Sequence, residues 1–271
     1  GTSISFGSEV VFNAADVTDT TLVYDSINQK SVIVYRDNAN ASYGTAIVGT
    51  VSGDSISFGT AVVYNSATTE KQGATFDSNS NKVVLFYQDQ GNSNAGTAIV
   101  GTVSGTSISF GSAVVFEAGD TEEASGVFDT STNKVVVAYV DKGDNSGRGK
   151  VILGTVSGTS ISFGTPLTFE VGRFTSNSNK GIALAYDVNA NRSVVSWKDS
   201  ANSDRGTTAV YQAASTPSNV TSENYIGLSN ACSFHGATET YTVTVASGAL
   251  YGGGTGNVFY LNGLSNPPIQ L

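Results

Sequence analysis

One short phrase returns four times along the chain and governs what it can fold into. It reads GTSISFG over Gly1–Gly7, GDSISFG over Gly53–Gly59, and GTSISFG again over Gly105–Gly111 and Gly158–Gly164, at steps of 52, 52 and 53 residues. A second landmark keeps the same beat. An aromatic residue precedes Asp at Tyr24-Asp25, Phe76-Asp77, Phe128-Asp129 and Tyr186-Asp187, and a further Asp follows twelve residues later at Asp37, Asp89, Asp141 and Asp199. Two residues before each of these stands Tyr35, Tyr87, Tyr139 or Trp197. Self-similarity at such a period belongs to propellers and solenoid arrays, whose units cannot bury their faces alone.

Each unit reads as four strands, as the second illustrates over 73–76, 82–87, 96–103 and 107–116. The middle strands are near-continuous apolar runs, such as Val135 to Tyr139, which suit sheets covered on both faces. The pairs Gly53-Asp54, Gly105-Thr106 and Gly158-Thr159 read as two-residue type II′ hairpin turns. Asp77 to Asn81, Asp129 to Asn133 and Asp187 to Asn191 supply Asx bonding followed by a residue tolerant of positive φ. The expected fold is therefore all-β, a β-propeller of about four four-stranded antiparallel blades over residues 1–214. A linker and an incomplete C-terminal β module follow over residues 215–271. Residues 1–12 form an orphan fourth strand, and ring closure would pair them with Thr207–Tyr211; the alternative is that Gly1 interrupts a longer array. The absence of Met fits a processed chain or a piece of a longer one.

Composition narrows the function. Only 13% of residues are charged, the net charge is −9, and the basic side chains are scattered. Nucleic acid and anionic membrane surfaces are not expected partners, because phosphate binding is driven by Lys and Arg displacing counterions. No apolar run is long enough to span a bilayer as a helix. Cys232 has no internal partner for a disulfide, and with His235 it falls short of a zinc set. His235 is the only histidine, so Ser-His-Asp catalysis has no other candidate base. No catalytic residue, metal ligand or cofactor is assigned. The loops opening at Asp37, Asp89, Asp141 and Asp199 are oxygen-rich enough for calcium, but none ends in a bidentate Glu. Asx capping is the better reading of these residues. Tyr35, Tyr87, Tyr139 and Trp197 read as core rather than as sugar platforms.

Variation among the units locates a working surface. The connections from strand one to two and from three to four are nearly constant, whereas those from two to three and from four to the next strand one differ from unit to unit. In an up-and-down unit the two variable sets share one end. They carry an acidic rim with aromatic and guanidinium handles suited to polar glycans. Asp120, Glu122, Tyr43, Arg148, Arg173 and Phe174 are the candidate ligand-binding residues.

The stretch over 96–111, GTAIVGTVSGTSISFG, resembles repeats in tail-fibre and other surface proteins of marine bacteriophages, cyanophages among them. TSENYIGLS over 221–229 is similar to segments that follow such arrays, and the Tyr241–Gly248 and Val258–Gly263 stretches are similar to the opening of a later β module. The resemblance implies a non-enzymatic structural and adhesive segment of a virion appendage at the virion surface or otherwise extracellular. Its partners would be a host-surface glycan or protein and other appendage subunits. A secreted bacterial adhesin or lectin is the alternative, and a carbohydrate-active enzyme the third.

Overall fold

The computed structural model describes residues 3–143, 147–170, 181–213, 258–259 and 269–270. By its contacts the chain divides into Gly1–Ala213 and Ala214–Leu271. In the second division, β17 (Val258–Phe259) pairs antiparallel with β18 (Ile269–Gln270).

The first division is all-β and antiparallel. Unit one comprises β1 (Val17–Asp25), β2 (Lys30–Asp37), β3 (Tyr43–Ser52), β4 (Ser55–Phe58) and the front half of β5 (Val62–Asp77). Unit two continues with the rear half of β5, then β6 (Lys82–Asp89), β7 (Ala95–Ser104), β8 (Ser107–Phe110) and the front half of β9 (Val114–Asp129). Unit three takes the rear half of β9, β10 (Lys134–Asp141), β11 (Arg148–Ser157), β12 (Ser160–Phe163) and β13 (Leu167–Glu170). Unit four holds β14 (Ile182–Asp187), β15 (Arg192–Asp199) and β16 (Arg205–Tyr211). Because β5 and β9 each serve two units, the first three units form one sheet of 13 strands, and β14–β16 form a separate one.

That continuity corrects the expectation of a loop between strand four and the next strand one. Val62 to Thr68 pair with β3, and Thr69 to Asp77 with β6, so the variable connection is the middle of a single 16-residue strand. The strand changes partner across bulges, where the register slips between Glu70 and Gly73. Asp19, Lys71 and Glu123, one per unit at the equivalent position, have positive φ of 49°, 54° and 53°. The constant turns follow the sequence reading. Gly53, Gly105 and Gly158 carry positive φ at the first turn position. Asp25, Asp77, Asp129 and Asp187 each accept two backbone N–H bonds through Oδ1, at 2.8–3.2 Å.

The core lies between units. The forward face of one unit (Val32, Val34, Ala46 and Val48) packs on the rear face of the next (Val83, Leu85, Tyr87 and Ile99). Unit two meets unit three in the same way through Val84, Phe86, Val100, Val135, Val137 and Ile152. Each of the three junctions is crossed by an aromatic pair, Tyr64–Tyr87, Phe116–Tyr139 or Phe169–Trp197, and Phe12–Tyr35 repeats it at the near end, all with ring centroids 4.9–5.2 Å apart. The strand-two aromatics are buried core, as their place in apolar runs implied.

The pairing of residues 1–12 with Thr207–Tyr211 is not formed. Residues 3–12 make no strand, and β16 pairs only with β15 among the described residues. Phe12 instead stacks on Tyr35 and Phe58 of unit one, and Gly7 abuts the Asp54 carbonyl, so this segment sits where a preceding unit's fourth strand would lie. Units two and three lie between that segment and β16, and unit four also differs at the position that receives a fourth strand. In units one to three, Gly49, Gly101 and Gly154 of strand three stand opposite Phe58, Phe110 and Phe163, whose rings fill the space a side chain would need. Unit four has Tyr211 at that position, opposite Ser193 just as Gly154 is opposite Val135.

One junction carries an internal mismatch. Tyr64 occupies the position held by Phe12, Phe116 and Phe169 in the other units, yet its buried hydroxyl finds no hydrogen-bond partner among the described residues. Burial, with lesser contributions from Tyr87 and Asp19, pushes its pKa well above the ordinary value, so the hydroxyl stays neutral. Removing an unsatisfied buried hydroxyl relieves its desolvation cost, so Tyr64→Phe is expected to raise stability by about 1 kcal/mol in a thermal melt.

Candidate binding end

The strand two-to-three loops and the midpoints of the long strands meet at one end of the array. Asn38 N donates to Asp16 O at 3.1 Å and its Nδ2 to Asp16 Oδ2 at 2.9 Å. Thr69 N donates to Ser42 O, Thr121 N to Asn94 O, and Lys142 N to Asp120 O, at 3.1, 3.0 and 2.7 Å. The two variable sets therefore share an end, opposite the Asx turns and the Gly-first hairpins. Asp89 and Asp199 cap short 3-10 turns over 90–92 and 200–202, and Asp141 Oδ1 accepts from Gly143 N at 3.0 Å. Each of these three carboxylates gives Oδ1 to a backbone amide, while Asp37, their equivalent in unit one, has its buried Oδ1 without a hydrogen-bond partner among the described residues. No group of three or more His, Cys, Asp or Glu side chains is arranged to hold a metal among the described residues.

The four candidate residues that the structure describes are not gathered into one pocket. Tyr43 opens β3 in unit one, half-buried and in register with Asp37 and Thr68. Asp120 ends the front half of β9, in register with Ala95 of unit two, while Glu122 and Arg148 belong to unit three, where Arg148 opens β11 opposite Asp141. Asp120 accepts from Gln88 Nε2 of unit two at 2.9 Å, and Glu122 pairs with Lys142 at 3.1 Å. Both acids thus already have partners of their own. Arg173 and Phe174 lie outside the described residues. Hollows lined by Phe6, Gly7, Ser8, Asp54 and Ser55, and by Gly181, Ser196, Lys198 and Thr208, include none of the four described candidates.

Sequence reasoning missed two arrangements. Arg36 of unit one reaches forward to Glu70 of unit two while lying 3.7 Å from Asp19, and Lys71 lies 3.9 Å from Glu123 of unit three. The other is a break in symmetry. In unit three Lys150 Nζ lies 2.5 Å from Asp141 Oδ2 and 3.1 Å from Glu117 Oε2, and Tyr139 donates its hydroxyl to Glu117 at 3.2 Å. The equivalents of Glu117 and Lys150 are Asn13 and Thr45 in unit one and Asn65 and Thr97 in unit two. The signal was available as a charge pair replacing an Asn/Thr pair, but the two residues are 33 apart and only the ladder juxtaposes them.

Burial depresses the Lys150 pKa, but hydrogen bonds and charges from Asp141 and Glu117 outweigh it and leave the ammonium above its ordinary 10.5. A folded pKa above the unfolded one means that this contribution is fully present below about pH 10.5 and is lost as pH rises through the folded value. Lys150→Thr alone leaves Glu117 and Asp141 without their cation and is expected to cost about 1–2 kcal/mol at neutral pH. Adding Glu117→Asn, which writes the pair of units one and two into unit three, should recover most of that loss in a double-mutant cycle. The cost of the single change should shrink in alkali.

No protein-family model matches the chain, and no curated protein matches it either.

Proposed function

We propose that the chain is a non-enzymatic structural and adhesive segment of a virion appendage, built from propeller-type blades, whose variable end recognises a polar glycan or protein on a host surface. The observation that carries this reading is the segregation of the connections. Those that differ among units meet at one end through direct hydrogen bonds, while the constant turns make the other. Variable loops on a repeating scaffold are the usual way to place recognition on a fold that is otherwise conserved from unit to unit. The four-stranded up-and-down order and the aromatic pair at each junction support blades. The resemblance to phage surface repeats supports the appendage.

The test is binding of the full chain to host cells and to a panel of surface glycans. Replacing Tyr43, Arg148 and Arg173 together by Ala should weaken attachment at least about tenfold, equivalent to about 1.4 kcal/mol, while leaving the circular dichroism spectrum intact. Unchanged attachment by the folded triple variant discards the site. Release of sugar fragments from the panel discards the non-enzymatic reading.

A further inference from the structure

Three internal junctions follow one rule, and the two ends of the array carry the unmatched halves of a fourth. At each junction the forward face of a unit presents one side chain at the centre of strand two, and the rear face of the next answers from strand one. Val34 answers to Ala74, Phe86 to Gly126, and Ala138 to Leu184. A bulky side chain at one is met by a small one at the other, as close packing between sheets requires. A polar contact lies two residues further along strand two, from Arg36 to Glu70 and from Gln88 to Asp120.

At the far end, unit four presents Ser196 and Lys198 at these two positions, on a face whose Ala183, Ala185, Thr208 and Val210 are all exposed. At the near end, unit one presents Leu22 and Tyr24, which are 63% and 56% exposed although their equivalents Ala74 and Phe76 pack into a core. The equivalent of Asp120 there is Asp16, which is exposed and whose carbonyl accepts from Asn38 N just as that of Asp120 accepts from Lys142 N. Small Ser196 would therefore meet the counterpart of large Leu22, and cationic Lys198, now 3.2 Å from Asp204 of its own unit, the counterpart of anionic Asp16.

We infer that the rear face of unit one is a docking surface for the forward face of unit four of a second copy of this chain. Two units separate the ends within one array, and β16 and residues 3–12 do not pair. The size match extends a contact made at three junctions inside the molecule, and the polar match one made at two, since unit three has buried Val140 at that position. Such a contact is heterologous, head to tail, and each copy offers one half of it at either end. This inference goes beyond the adhesive reading and does not depend on it.

The test is sedimentation equilibrium of the full 271-residue chain over a wide concentration range, with reductant present so that Cys232 cannot link copies. The wild type should self-associate. Leu22→Asp spoils only the near end and Ser196→Arg only the far end; both sites are exposed, so each variant should fold and each should associate at least about tenfold more weakly. Mixed in equal amounts, the two variants should form a dimer and stop there, because one good near end meets one good far end and the other pair is dead. A wild type that stays monomeric overturns the inference, as does a mixture that forms no dimer or a variant that associates like the wild type.

Discussion

Replacing Gly111 by alanine is expected to destabilise the array by about 3 kcal/mol or more, while the same change at Gly164 should stay within about 0.5 kcal/mol. Both glycines close the same SISFG phrase, so propensity alone cannot separate them. A methyl at Gly111 would overlap the carbonyl oxygen of Thr159 in the next unit's hairpin, as one at Gly59 would overlap that of Thr106. The obstacle is backbone, which no rotamer change can clear, so the units themselves would have to separate. Among the described residues, nothing lies closer to the missing Cβ of Gly164 than the Leu153 carbonyl at 3.9 Å. Chemical denaturation of the two variants side by side checks the contrast. Equal losses would mean that the glycine is required by its own turn and not by its neighbour.

The second large effect concerns the same junction from its apolar side. Phe86 is fully buried, and its ring lies over Gly126 so closely that a Cβ there would overlap it. Phe86→Ala should cost about 3–5 kcal/mol through lost transfer energy and the cavity left between sheets. Gly126→Leu alone should cost about 3 kcal/mol by overpacking. The double variant reproduces the Ala138/Leu184 pair of the following junction and should recover at least half of the summed loss. Denaturation curves of the two single variants and the double measure the coupling, and strict additivity would show that the junctions do not share one packing rule.

Much of this was legible in the residues. Strand positions follow from apolar runs and turn chemistry, which act over a few residues. The Asp25, Asp77, Asp129 and Asp187 turns bond as their spacing demanded, and Tyr35, Tyr87 and Tyr139 are buried where their runs placed them. The shared end of the variable connections followed from strand alternation alone. The candidate residues on it were less legible, because Asp120 and Glu122 find partners in Gln88 and Lys142 that only the fold brings near.

The repeat by itself determined that the chain is antiparallel β, where each unit begins, and which turns recur, since those properties depend on side-chain alternation and local hydrogen bonds. How one unit meets the next was decided only in three dimensions. The fusion of strand four with the following strand one depends on a bulge that changes pairing partner in mid-strand, and residues 3–12 settle on Tyr35 and Phe58 of unit one, with two units between them and β16. Each is a question of whether atoms from distant parts of the chain can occupy the same space, and period and pattern carry no information about that.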